Sequence, residues 1–202
     1  MLLMNKFNKI EDAILSLKAG KMVVVLDDED RENEGDLVMA ADLVTPDAIN
    51  FMAREGRGLI CTPVCEDIAS RLSFSPMVAE NLKGTQCNFT VSVDYRHGTS
   101  TGISASDRAK TVKAIADYSS LPDDFVRPGH VFPLIARKGG VLVRAGHTEA
   151  ATDLAKLSGF SPVGVICEIA KEDGEMMRKD DLFEFARLHD LVIVSIKDLI
   201  AY

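Results

Sequence analysis

Only four cysteines, Cys61, Cys65, Cys87 and Cys167, occur in the 202 residues; none forms a CxxC pair, and no histidine stands beside them at zinc-ligand spacing. A cysteine-held zinc site is therefore excluded, and buried, reduced thiols are the expectation. The chain also lacks long apolar runs. Stretches such as "MVVVL" are far short of the roughly 20 residues that cross a bilayer. The opening "MLLMNKFNKIEDAILSL" has no basic segment before an apolar core and meets Glu11 and Asp12 too early for a signal peptide. Positive charge is scarce as well. With a formal net charge of −8, Lys and Arg are scattered among more numerous acids, so no concentrated basic face exists to neutralise nucleic-acid phosphates. There is no repeat, low-complexity tract or evident linker. The expectation is one soluble, cytoplasmic domain spanning 1–202, bound neither to membrane nor to nucleic acid.

Hydrophobic residues make up 47% and charged residues 27%, an ordinary globular composition. A chain of this length buries about 70% of its unfolded surface and needs no covalent staple. Strand and helix patterns alternate along it. Asn8 with Glu11 three residues later suggests a helix start, with Ile10, Ile14 and Leu17 on one face and Gly20 at the stop. "MVVVL" (22–26) reads as a strand buried on both faces, and "LVMAA" (37–41) as its partner. Thr45-Pro46 opens a second helix. "GLICTPV", a half-buried "FTVSVD", a strand from about Val131, "GGVLVR", "VGVICEIA" and "LVIVS" read as further strands, and 75–88 as loop. "EDIASRL", "SDRAKTVKAIADYS" capped by Ser106, "HTEAATDLAKLSGF" stopped by Gly159, "DLFEFARLH" capped by Asp180, and "IKDLIAY" read as helices. An α/β (α+β) single domain is expected, a mixed sheet packed by helices.

Four places carry candidate chemistry. In "DDEDRENEGD" (27–36) seven carboxylates surround Arg31. Such runs are most often solvated turns. A calcium loop begun at Asp30 fails because its twelfth position is Ala41. What is left is an acidic loop between two buried strands, which a hard, oxygen-liganded metal ion would neutralise beside Arg31. "RAGHTEA" (144–150) puts Arg144, His147 and Thr148 at a helix start, where backbone N–H groups and a guanidinium converge on an anion, unless Thr148 is only a cap. His130, behind a Pro-Gly turn, is either solvated or a proton carrier. Glu168, a carboxylate in an apolar strand, either faces out at a strand end or points into a site.

Taken in order, "DDEDRENEGDL", "TGISASDRA", "RPGHVFPL", "RAGHTEA" and "GVICEI" resemble the 3,4-dihydroxy-2-butanone 4-phosphate synthase family over essentially the whole chain. The resemblance implies a metal-dependent lyase of riboflavin biosynthesis, converting ribulose 5-phosphate to the four-carbon phosphate and formate. It implies Glu32 and His147 as metal ligands for Mg2+ or Mn2+, two ions per site. Substrate contacts fall on Arg31, Glu32, Asp36, Arg144, Ala145, Gly146, His147, Thr148 and Glu168, and catalysis on His130 and Glu168. The implied chemistry is metal-assisted removal of the C3 proton, loss of the C1 hydroxyl, skeletal migration and expulsion of C4 as formate, in a homodimer with sites near the subunit interface. Some relatives carry a C-terminal GTP cyclohydrolase II domain with a cysteine cluster, which these 202 residues do not contain. A different sugar-phosphate lyase or isomerase, or a non-catalytic metal- and phosphosugar-binding protein, are the alternatives; formate release separates them.

Overall fold

The structure is a computed structural model that describes residues 6–79 and 87–202. Its strands are β1 (Val23–Leu26), β2 (Gly35–Ala40), β3 (Cys61–Val64), β4 (Val93–Tyr95), β5 (Phe125–Ile135), β6 (Gly164–Glu168) and β7 (Val192–Ser195). They form one sheet in the order β4-β5-β3-β6-β2-β1-β7. β1 runs parallel to β7 and β3 to β5, whereas β1–β2, β2–β6, β3–β6 and β4–β5 are antiparallel, so the sheet is mixed.

Helices α1 (Ile10–Lys18), α2 (Pro46–Phe51), α3 (Glu66–Arg71), α4 (Ala105–Ala116), α5 (His147–Leu157), α6 (Lys179–Leu188) and α7 (Ile196–Ala201) cover both faces. This explains the uninterrupted valine run. Successive strand residues point to opposite faces. Val23 and Val25 pack in one apolar cluster with Ile14 and Leu17 of α1, Leu154 of α5 and Leu199 of α7. Val24 packs in the other with Ile49 of α2, Ile68 of α3, Val112 of α4 and Leu182 of α6. All three valines are inaccessible to solvent. The result is a three-layer α/β/α domain, and among the described residues no helix is long and apolar enough to cross a membrane.

The second helix starts as the sequence suggests: Thr45 Oγ1 accepts from Ala48 N at 3.1 Å and Pro46 takes the first helical position. Other caps sit elsewhere. Asn8 does not cap α1; Lys9 holds the N-cap position, its backbone N donating to Asp12 Oδ2 at 3.1 Å, while Asn8 Oδ1 accepts from Ile193 N at 2.9 Å and ties the entry segment to β7. Ser104 rather than Ser106 caps α4, accepting from Asp107 N at 3.0 Å. α6 begins after Arg178, whose N–H donates to Asp181 at 3.0 Å, so Asp180 is inside the helix.

Three strand readings change. "GGVLVR" is not a strand: Gly140–Leu142 is a single 3₁₀ turn, because Asp153 accepts from Val141 N at 2.8 Å and folds the segment back onto α5. In "FTVSVD" the strand is only its end, and Thr90 and Ser92 are buried while Val91 is partly exposed. Their hydroxyls are satisfied: Thr90 Oγ1 donates to Pro133 O at 3.0 Å, and Ser92 Oγ accepts from Gly129 N at 3.1 Å. β5 begins at Phe125, well before Val131. Between its pairings with β4, Val126 with Asp94 and Val131 with Val93, residues 127–130 bulge outward, and the bulge accommodates Pro128 without losing a ladder bond. Part of the loop expected at 75–88 lies outside the described residues.

Candidate metal and anion site

The register of β1, β2 and β6 brings the acidic loop to the start of α5. Val25 pairs with Asp36 and Asp36 with Glu168, so both carboxylates lie side by side at one end of the sheet. Asp27, the residue following β1, is 4% exposed and organises the loop. Its Oδ1 accepts from Glu34 N at 2.8 Å, and its Oδ2 from Glu32 N at 3.3 Å and from Arg31 Nη1 at 2.6 Å. Arg31 Nη1 is also 2.5 Å from Glu32 Oε2. A guanidinium between two carboxylates answers the crowding of like charge. Burial works against its proton, yet hydrogen bonding and charge from Asp27 and Glu32 win and hold the Arg31 pKa above its ordinary value.

His147 opens α5, and its Nε2 lies 3.1 Å from Val25 O. A carbonyl only accepts, so Nε2 carries the hydrogen and Nδ1 presents its lone pair. Nδ1 is 3.8 Å from Asp36 Oδ1, a buried oxygen without a hydrogen-bond donor among the described residues. Burial lowers the His147 pKa, favouring the neutral ligating form. Burial raises that of Asp36 well above the carboxylate range, reinforced by the charge of Glu168. One donor atom each from Asp27, Glu32 and His147 lies within 4.8 Å of the others. Two carboxylates and a neutral imidazole beside an unsatisfied buried carboxylate oxygen fit a hard divalent cation.

The same cavity, about 190 Å³, is lined on its other side by Arg144 and Thr148. Arg144 Nη1 is 2.5 Å from Glu149 Oε2, while the other oxygen of Glu149 accepts from Arg137 N at 2.9 Å. Glu149 is 1% exposed, buried rather than solvated, and aims the guanidinium. Thr148 Oγ1 lies 3.8 Å from Cys87 Sγ. Glu168 is held by its Oε2, which accepts from Leu59 N at 2.8 Å. Cys61 forms part of the cavity floor, its thiol pushed far up by burial and by the charge of Glu168. All four cysteines are free thiols.

Of the residues anticipated from sequence, Arg31, Glu32, Asp36, Arg144, His147, Thr148 and Glu168 line this one cavity. Ala145 is partly buried against the apolar cluster beneath α5, and Gly146 is that helix's N-cap. His130 is not in the lining. It sits in the β5 bulge with its side chain 42% exposed, Nδ1 donating to Asp94 Oδ2 at 2.7 Å and its backbone N to Asp94 Oδ1 at 2.8 Å. Sequence reasoning missed Asp27 as a donor, Glu34 and Cys87 in the lining, and Asp94 and Glu149 as orienting carboxylates. Asp27's position directly after a buried strand was the available signal.

Fold and site together define an α/β protein with a cavity whose carboxylate and imidazole donors suit a hard metal ion and whose other wall carries Arg144. Within that class, the chain belongs to the 3,4-dihydroxy-2-butanone 4-phosphate synthase family, whose sequence profile matches residues 11–202. It is 58% identical over 199 residues, 98% of its length, to the riboflavin biosynthesis protein RibBA of Aquifex aeolicus, covering 49% of that protein. It is 55% identical over 195 residues to the 3,4-dihydroxy-2-butanone 4-phosphate synthase of Wolinella succinogenes, covering 56% of it. The chain thus spans about half the length of the curated relatives it matches. A crystal structure of a 3,4-dihydroxy-2-butanone 4-phosphate synthase in complex with two magnesium ions superposes with a TM-score of 0.93 at 44% identity, with 96% of each chain covered.

Proposed function

We propose that this chain, over residues 1–202, is a metal-dependent lyase that converts ribulose 5-phosphate to 3,4-dihydroxy-2-butanone 4-phosphate and formate. The observation carrying this reading is the convergence of hard metal donors and an anion cradle on one cavity in a chain of this family. Glu32 and His147, joined by Asp27, would hold Mg2+ or Mn2+, with two ions per site as the proposed number; a related synthase has been crystallised in complex with two magnesium ions. When bound, the metal would polarise the ketose oxygens and lower the cost of removing the adjacent proton.

The remaining work falls to the chain's own groups. Arg144, the Thr148 hydroxyl and the first amides of α5 would receive the phosphate, since a helix N-terminus and a guanidinium both favour negative charge. Ala145 and Gly146 would bring backbone up to the same group. Arg31 and Asp36 would contact sugar hydroxyls at the opposite end. Glu168, anchored by Leu59 N, and His130, with Nδ1 committed to Asp94 and Nε2 free to exchange a proton, would be the proton carriers at C3 and at the departing C1 hydroxyl. His130 is solvent-facing and outside the cavity of its own chain. A homodimer that lays one copy's bulge against the other's cavity would bring it to substrate and exclude water.

Incubation with ribulose 5-phosphate, with Mg2+ and after EDTA, tests this. Metal-dependent, equimolar formate and four-carbon phosphate are expected, as the atoms of the substrate divide between these two products. Metal and substrate binding without formate would overturn the reading in favour of a binding protein or a different lyase.

A further inference from the structure

The acidic loop is gripped from outside by a helix far away in sequence. Arg178, the N-cap of α6, donates from Nη1 to Glu32 O at 2.6 Å and to Asn33 O at 3.0 Å, across 146 and 145 residues. The same nitrogen is 3.6 Å from Glu34 Oε1. Lys179 Nζ meets Glu29 Oε1 at 2.6 Å. Where the loop re-enters β2, Leu182 packs directly on Gly35: a Cβ there would stand 2.6 Å from Leu182 Cδ1, so a larger residue would have to push the Leu182 side chain aside. The first turn of α6 therefore touches the loop at its beginning, middle and end.

These contacts bear on the backbone around Glu32. Asn33 adopts a left-handed conformation (φ 53°), one that Asn enters more readily than other side chains, and the direction of the chain leaving Glu32 depends on it. Seven acidic side chains between 27 and 36 repel one another, and Arg31 offsets only Asp27 and Glu32. One guanidinium nitrogen, Nη1, donating to two consecutive carbonyls fixes both peptide planes at once, and with them the direction of the Glu32 side chain. The Lys179 pair is exposed and contributes little by comparison.

We infer that Arg178 is a positioning residue for the metal site: it holds the Glu32–Asn33 backbone so that the Glu32 carboxylate faces Asp27 and His147 before a cation arrives. This rests on the metal reading of that cluster. Partners that orient a metal ligand without touching the metal typically change affinity by about 10- to 100-fold when removed.

The probe is Mn2+, titrated into the full chain and followed by electron paramagnetic resonance of the free ion, with thermal melting in EDTA alongside. Arg178→Met is expected to weaken Mn2+ binding about tenfold. Arg178→Lys, which keeps the charge but whose shorter side chain sets its one donating nitrogen back from both carbonyls, is expected to fall between the two. The Mg2+ concentration for half-maximal formate release should rise by the same factor. Mn2+ affinity equal to wild type in Arg178→Met, whether or not its melting temperature drops, would overturn the inference and leave Arg178 a structural contact. Should that variant not fold, an unchanged Mn2+ affinity in Arg178→Lys would overturn it equally. A wild-type chain that binds no Mn2+ would instead remove the metal reading beneath it.

Discussion

His147 is 8% exposed and His130 has 42% of its side chain in solvent, although the proposed function gives both histidines to one reaction. The environment of His147 is complete within the chain: Val25 O fixes the ring, and Asp27, Glu32 and Asp36 surround it. The environment of His130 is half built. Asp94 sets its tautomer and Gly102 packs against the pair, but nothing among the described residues covers its outer face. Charges and proton transfers gain strength where water is excluded. The cavity is thus built within the chain around its metal donors and Arg144, whereas under the proposed function the bulge offers a proton carrier that a second surface would enclose.

The severest test of this contrast is loss of the cavity's metal. Glu32→Gln and His147→Ala should each abolish Mn2+ binding and lower formate release by about 10³-fold, equivalent to several kcal/mol of lost charge stabilisation. His130→Ala should lower turnover by about 10²-fold, the contribution of a positioned acid–base group, while leaving Mn2+ affinity within about twofold. Glu168→Gln should do the same, and full turnover in that variant would remove it from the reaction. Equal amounts of the two variants, unfolded and refolded together, should recover about a quarter of wild-type activity if each site draws His130 from a second copy. No recovery would place both residues of one chain in one site.

Gly102→Ala probes the bulge more gently. Its φ is 93°, and an added Cβ would stand 2.0 Å from Asp94 Oδ2 and 2.7 Å from His130 Nδ1. A loss of about 1–3 kcal/mol in stability and about tenfold in turnover is expected, with Mn2+ affinity unchanged, measured by melting and titration. The smallest effect concerns Asp107 at the start of α4. The Ser100 hydroxyl, then the amides of Gly102 and Ser100, hold its carboxyl below the usual range. A folded-state pKa below the unfolded one stabilises above about pH 4, and this is lost as pH falls through the folded value. Asp107→Asn should therefore flatten the acid limb of the melting-temperature profile below about pH 4 and leave neutral-pH metal binding unaltered.

How far the sequence could be read follows from the range of the interactions. Thr45-Pro46, the Gly159 stop after α5 and the buried valine run are visible because their causes lie within a few residues. "GGVLVR" was misread as a strand because its apolar composition suits one, and the contact that bends it away is with Asp153 on the following helix. The caps moved by one or two residues for a similar reason: several hydroxyls or carboxylates stood near each helix start, and neighbouring packing chose among them.

Within the site, the sequence by itself determined the chemistry on offer: an acidic loop between buried strands, an Arg-Ala-Gly-His-Thr helix start and a lone glutamate in an apolar strand. Local periodicity and residue type suffice for that. Only the tertiary structure decided which groups meet. The β1–β2–β6 register sets Asp36 against Glu168 and passes Val25 O to His147, selecting Asp27 and Glu32 from seven acids. The packing of α6 put Arg178 behind Glu32, and the β4–β5 pairing left His130 outside in a bulge of β5. Strand pairing and helix packing join residues more than a hundred positions apart, and no local pattern encodes those distances.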